Sequence, residues 1–253
     1  MKTRNLFGML CVMLLALSMS SCMQPNHLRI MSYNVRNCLG MDSVLDYQRV
    51  ADVILAANPD IVGIQELDSM TLRYPGKVAL SELAERTGMY AVYAPTIDYR
   101  GGKYGHGILS KEEPIDWEIV PLISSSEPRV MLLVEFANYY FCNLHLSLQP
   151  KDRPESAEII VDKLAQLDKP VFLTGDFNAQ PDDPAIAVFQ ENGVLLLSDP
   201  TQNTFPANRP RITIDYIMYK PDAQSAKYKT SDFRVIEETV ASDHRPLVVD
   251  VDF

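Results

Sequence analysis

The chain has 253 residues, with 23 basic and 33 acidic side chains, a formal net charge of −10, 47% hydrophobic residues, 17 prolines and 11 glycines. That composition excludes collagen-like, coiled-coil and disordered chains and leaves a globular protein long enough for a sizeable core. The acid excess argues against broad attachment to nucleic acid or anionic lipid, which clustered Lys and Arg usually provide.

Lys2 and Arg4 precede an apolar run over residues 6–17, and Ser18, Met19, Ser20 and Ser21 then lead to Cys22. A basic start, a short apolar middle and small residues read as a secretory signal, and the run is short for a permanent membrane span. The cysteine at the cleavage point resembles the lipobox of bacterial lipoproteins. This implies a lipidated Cys22 as mature N-terminus and an exported chain held at the bacterial cell envelope. Residues 1–21 are therefore expected to be signal, 22–27 a polar tether, and 28–253 one domain, since no Gly/Ser- or Pro-rich linker divides them. Beyond Cys11 and Cys22 only Cys38 and Cys142 remain, too few for a disulfide framework. Cys142 lies in an alternating apolar run and reads as a buried free thiol, although an oxidising compartment permits the pair.

Along the chain, residues 28–33 read as a strand. Tyr47–Ala57 reads as a helix, with Val50, Val53, Ile54 and Ala57 on one face, and 60–65 as a second strand. Asn58-Pro59 stops that helix, because a residue before proline is biased out of the helical region. Ala79–Thr87 is a second helix closed by Gly88, followed by strands at 90–93, 107–109 and 117–121. Strands at 129–136 and 140–145 flank a tight hairpin at Ala137-Asn138. A third helix covers 155–167, and further strands lie at 171–173, 213–219, 232–235 and 247–251. No repeat of fixed period is found. Helices interspersed among many strands, several hairpin-linked, predict an α/β protein of two packed sheets flanked by helices.

These apolar strands repeatedly end in a carboxylate, amide or imidazole. Residues 29–33 run into Asn34, 61–65 into Glu66, 140–142 into Asn143 and His145, and 171–175 into Asp176 and Asn178; Asp243-His244 precedes the last strand. Singly, Asn34 and Asn178 read as turn formers, Glu66 as a surface charge, Asp176 as an Asx-turn residue, and His145 or His244 as a hydrogen-bonded structural histidine. Burying such groups costs several kcal/mol each unless they are paired or bind a metal. Gathered at one sheet rim, they would make a site.

The ordered pieces SYNVRN at 32–37, PDIVGIQELD at 59–68, YGHGILSK at 104–111, NLHLS at 143–147, GDFNAQP at 175–181, IDYIM at 214–218 and SDHRPLVVDV at 242–251 resemble the endonuclease/exonuclease/phosphatase superfamily. That superfamily has the fold of secreted deoxyribonuclease I, abasic-site exonucleases, inositol polyphosphate 5-phosphatases and neutral sphingomyelinases. The likeness covers nearly all of residues 28–253 and implies a four-layer α/β sandwich with two mostly antiparallel sheets. It implies Mg²⁺, or Mn²⁺ as a substitute, on Glu66 with Asn34 and Asp243 completing or flanking the shell. His145 and Asn178 are expected to hold phosphoryl oxygens. His244, oriented by Asp215, would share with Asp176 the task of taking a proton from the attacking water.

Asn143, His106 and Arg211 are the expected substrate contacts, and Lys103, Lys111, Arg129, Arg153 and Arg209 are further basic residues near the motifs that would grip phosphate. Two positions depart from the family pattern: Thr213 stands where many relatives have arginine, and His106 where they carry Asn, Val or Ile. His106 either faces substrate or packs beside Tyr104. The expected activity is metal-dependent phosphodiester or phosphomonoester hydrolysis by in-line water attack. A small or lipid-derived substrate is favoured for a monomer that touches membrane only through Cys22. A secreted nuclease acting on DNA or RNA is the alternative. A non-catalytic, lipid-anchored binding protein on the same fold ranks last, because every general-base and metal position is filled.

Overall fold

In the computed structural model, residues 26–222 and 228–253 are described. The signal at 1–21 and Cys22 lie outside the described residues. The helix α1 (Tyr47–Ala57) forms where expected: Val50, Ala51, Ile54 and Ala57 are buried on one face, and the Asp46 carboxylate caps the start by accepting from the Arg49 amide at 3.0 Å. It ends at Asn58, which takes the left-handed conformation (φ 50°) ahead of Pro59.

The strand β1 (His27–Asn34) pairs in parallel with β2 (Ile61–Ser69) across α1. After α2 (Ala79–Thr87), the hairpin of β3 (Tyr90–Tyr99) and β4 (Gly102–Ser110) extends this first sheet. The second sheet holds β5 (Asp116–Leu122), β6 (Arg129–Glu135) and β7 (Tyr140–His145). It continues through α3 (Arg153–Leu164) into β8 (Val171–Asp176), then α4 (Pro184–Glu191), β9 (Leu195–Leu196) and β10 (Asp215–Lys220). The chain returns to the first sheet as β11 (Lys229–Val235) and β12 (Leu247–Asp252). Strand order is β11-β12-β1-β2-β4-β3 in one sheet and β5-β6-β7-β8-β10-β9 in the other. Among the described residues only β1–β2 and β7–β8 are parallel, each joined by a crossover that carries an α-helix, as parallel pairing requires. The two sheets thus repeat one pattern of strand pairing that leaves no periodic trace in the sequence.

Between the sheets lies an apolar layer that includes Ile30, Ile61, Ile108, Phe141, Phe172 and Val249. Phe172 stacks on Tyr219 with 5.0 Å between ring centres. The helices α1 and α2 cover the outer face of the first sheet, and α3 and α4 that of the second, which gives the expected four layers. At Gly63 the sheets approach so closely that a Cβ would lie 1.9 Å from Thr174 Oγ1. Asn26 and Phe253 exchange two backbone hydrogen bonds, which joins the start and end of the described chain.

The helix α4 was not read from the sequence, though Asp183 caps it, Pro184 occupies its first turn, and Ala185, Ile186 and Phe189 form its buried face. β2, β3 and β4 also run longer than expected, because their outer halves are polar. The hairpin at Ala137-Asn138 closes as read, with the Phe136 amide donating to Tyr139 O at 3.0 Å.

One cross-strand pair gives a stability test. Arg29 and Asp250 face each other in register on β1 and β12, with Nε to Oδ1 at 2.6 Å and Nη2 to Oδ2 at 2.7 Å. The hydrogen bond from Arg29 holds the Asp250 carboxyl below the usual carboxylate range. A depressed carboxylate stabilises fully above its unfolded value near 3.9 and loses that contribution as pH falls through the lower folded value. Asp250→Asn is therefore expected to cost about 1–3 kcal/mol in urea unfolding at neutral pH, with the gap to the parent closing below about pH 4.

Candidate active site

The parallel pairs place the carboxyl ends of β1, β2, β7 and β8 along one edge of the sandwich. Asn34 joins the two sheets there: its Nδ2 donates to Glu66 Oε1 and to Asp176 Oδ2, both at 3.1 Å. Glu66 sits in the β2 bulge with φ of 63°, a left-handed conformation that costs a non-glycine residue about 1–2 kcal/mol. Such strain collects where a side chain must be aimed at a function. The Glu66 carboxylate is half-buried and hydrogen-bonds the Tyr104 hydroxyl.

Asp176, at the end of β8, is the register partner of both His145 and Asp215. Its Oδ1 accepts from the Asn178 amide at 2.9 Å, and its Oδ2 lies 3.5 Å from His145 Nε2 and 3.7 Å from His244 Nε2. His244 Nδ1 lies 3.1 and 3.0 Å from the two oxygens of Asp215, whose Oδ2 also accepts from Thr204 Oγ1 at 2.5 Å. Phe205 lies against the imidazole with 4.7 Å between ring centres.

Electrostatics separate the three histidines of this region. Burial opposes charge on His244, but Asp215 and Asp176 outweigh it and hold the ring protonated well above its ordinary value. Burial raises the Asp176 carboxyl, with His244 opposing and Asp215 reinforcing that rise. Burial, then the Arg129 charge, keeps His145 neutral and lowers His106 to about 3. His244 therefore stabilises the fold fully below the unfolded value near 6.5, and that contribution is lost as pH rises through its raised folded value. Nitrogen NMR at pH 7 is expected to show an imidazolium at His244 and neutral rings at His106 and His145. A neutral His244 there would contradict this charge assignment.

The remaining candidates fall in different places. Asn143 is fully buried and spends its amide between the sheets. Nδ2 donates to Ile64 O at 2.9 Å and Gly107 O at 2.8 Å, and Oδ1 accepts from Gln65 Nε2 at 2.6 Å. It is a staple behind the rim and has no amide group left for substrate. His106 is 2% exposed, so it packs inside and does not face the opening. Asp243 Oδ2 lies 3.7 Å from Arg36 Nε. Asn178 Nδ2 donates to Leu146 O at 3.0 Å while its backbone holds Asp176. Arg211 is exposed, on the hairpin whose Thr204 supports Asp215. Of the other basic candidates, Arg129 and Arg153 are buried, Arg153 pairs with Asp183, Lys103 with Asp98 and Lys111 with Asp60.

Sequence reading missed the cleft beside Glu66, about 340 Å³ in volume and walled by Arg36, Asn37, Arg73, Tyr99, Tyr104 and Glu127 among others. Arg73 is anchored by buried Asp68, and its guanidinium lies 4.9 Å from the centre of the Tyr99 ring. Arg73 follows Glu66 by seven residues and Tyr104 opens YGHGILSK, but nothing local marks either as facing the cleft. Thr204 and Phe205 had no signal, because only tertiary packing brings them to Asp215 and His244.

Asp176, Asp215 and His244 bring potential metal ligands within 4.8 Å of one another. This buried cluster has the donors for a metal, but Asp215 is already engaged by Thr204 and His244, and an imidazolium repels a cation. The Glu66 carboxylate offers oxygen donors for a hard divalent ion in a less buried position; Asn34 turns its Nδ2 toward it, while Asn34 Oδ1 accepts from the Arg36 amide at 3.1 Å.

The model of the endonuclease/exonuclease/phosphatase family matches residues 31–244. The chain belongs to that family, and with it to the hydrolases that act on ester bonds. Solved structures with the same fold include an endonuclease/exonuclease/phosphatase family protein from Bacteroides thetaiotaomicron, at TM-score 0.74 and 21% identity over 91% of this chain and 96% of that one. A mannosyl-6-phosphatase from Bacteroides thetaiotaomicron VPI-5482 gives TM-score 0.73 and 21% identity over 89% of this chain and 100% of the other. Humanised TDP2 from D. rerio gives 0.72 and 19% over 90% and 99%. No curated protein matches the chain.

Proposed function

We propose that this protein is a divalent-metal-dependent phosphoesterase that hydrolyses small phosphoesters by direct water attack. The supporting observation is the convergence of Asn34, Glu66, His145, Asp176, Asp215 and His244 from two sheets on one rim beside an open cleft. The ion, Mg²⁺ with Mn²⁺ as a substitute, would be held by Glu66 and Asn34 with Asp243 to one side, and would neutralise charge on the phosphoryl oxygens. Asp176, its carboxyl raised toward neutrality, takes the proton from the attacking water. His244, kept cationic by Asp215, and neutral His145 face the same carboxylate and serve the charge that develops on the phosphoryl group.

The cleft is of small-ligand size, and the net charge of −10 disfavours a long polyanion such as a polynucleotide. Arg36 and Arg73 supply local positive charge, and Tyr99 and Tyr104 supply aromatic faces. The name of one similar structure, mannosyl-6-phosphatase, fits a small phosphorylated substrate of this kind. Residues 1–22 support export and a lipid anchor at the cell envelope. A panel of chromogenic phosphomonoesters and phosphodiesters, assayed with Mg²⁺ and again with a chelator, tests the reading. Hydrolysis abolished by the chelator is expected; no hydrolysis, or hydrolysis indifferent to metal, sinks it. Plasmid nicking at low salt with turnover above that of every small ester would assign the site to nucleic acid instead.

A further inference from the structure

Beside His145 lies a small, narrow pocket whose lining includes Thr96, Tyr104, Gly105, His106, Arg129 and His145. Its walls come from β3 and β4 of one sheet and from β6 and β7 of the other. Three of these lining residues carry a buried polar atom with no partner among the described residues: Thr96 Oγ1, His106 Nε2 and Arg129 Nε. None of the three atoms reaches solvent: His106 is 2% and Arg129 7% exposed, and half-buried Thr96 keeps its hydroxyl inside. Buried polar groups are nearly always satisfied, so three orphans around one pocket call for an occupant.

The chemistry of the walls selects it. His106 donates to the backbone carbonyl of Asn143, and because Nε2 is the unpartnered nitrogen, the donor is Nδ1. In the neutral ring Nε2 is then an acceptor. Arg129 Nε–H is a donor, its Nη1 being committed to Glu127 Oε1 at 2.6 Å. Arg129 repels a cation, and the lone pair of His106 disfavours an anion. A molecule that donates to His106, accepts from Arg129 and has a second proton for Thr96 satisfies all three. The room is about 10 Å³, close to that of one water and far below that of a phosphate.

We propose that this pocket binds one water molecule, and that the water, bridging His106 and Thr96 of the first sheet to Arg129 of the second, holds His145 in place. The first part stands independently; the second rests on the hydrolase reading above. His106 and Arg129 are then positioning residues. The His106–Asn143 bond and the Asn143–Gly107 bond fasten the same stretch of β7 just before it ends in His145.

A high-resolution crystal structure of the protein is expected to show an ordered peak within about 3.2 Å of His106 Nε2, Arg129 Nε and Thr96 Oγ1. His106→Phe, which fills the pocket, and Thr96→Val, which removes one partner, are expected to lower kcat by about tenfold with KM within about twofold. His106→Asn, which keeps space and an acceptor, should recover most of the rate. If His106→Phe does not fold, the nearly isosteric Thr96→Val carries the kinetic test. An empty pocket in the crystal overturns the water site. A peak in the parent with full kcat in both filled and truncated variants overturns the positioning role. A parent protein inactive on every phosphoester overturns the hydrolase reading and the positioning role with it, while diffraction still decides the water.

Discussion

Asp176→Asn and His244→Ala are each expected to lower kcat on a phosphoester by about 10²–10⁴-fold, with much smaller changes in KM. The two groups face each other at 3.7 Å, and each holds the other in its working charge state. Removing the carboxylate would take away the proposed proton acceptor. Removing the imidazole takes away the cation that steadies both the carboxylate and the phosphoryl charge. Because they act as a unit, the double variant should be little slower than the worse single one, whereas independent sites would multiply. Asp215→Asn should follow His244→Ala in direction, since Asp215 orients the imidazole through Nδ1. Full activity in either single variant would remove the rim from consideration as the catalytic centre.

Asn143→Ala is expected to act on stability instead of on substrate binding. The truncation strands Gln65 Nε2 and takes a donor from Ile64 O and from Gly107 O, all inside the sandwich. Leaving such groups unsatisfied costs about 1–3 kcal/mol each when fully buried, and about 3 kcal/mol in total is a fair expectation. For a domain of this size that lowers Tm by roughly 6–12 °C. Thermal melting followed by steady-state kinetics separates the roles. A large rise in KM with an unchanged melting curve would return Asn143 to the substrate side.

How much was legible follows from what each signal depends on. Tyr47–Ala57, Ala79–Thr87 and Tyr140–His145 fall where periodicity and turn residues put them, because one face of each is core and the stop signals are local. The outer half of β2 was not legible, since Glu66 leaves the ladder at a bulge and the alternation breaks there. Strand-end polarity singled out Asn34, Glu66, His145, Asp176 and His244, the family resemblance added Asp215, and these six meet at one edge. Strand-end polarity equally singled out Asn143, because a buried amide stapling two sheets looks, in one dimension, like an amide awaiting substrate. The basic residues misled for a related reason: sequence shows a charge but not the acid that neutralises it, as Arg153 with Asp183 and Lys111 with Asp60 illustrate. Arg36 and Arg73 gain their places from the paths of loops, which carry no periodic signal.

The backbone clasp between Asn26 and Phe253 has a bearing on substrate origin. It lies at the start of β1, whereas the candidate catalytic rim lies at the other end of that strand, eight residues or about 25 Å away. A lipid on Cys22 would be joined to Asn26 by a leash of at most about 14 Å. If Cys22 is lipidated as proposed, the rim would lie at the end of β1 away from the anchor, which would favour solutes arriving from the bulk over a headgroup still embedded in the same leaflet.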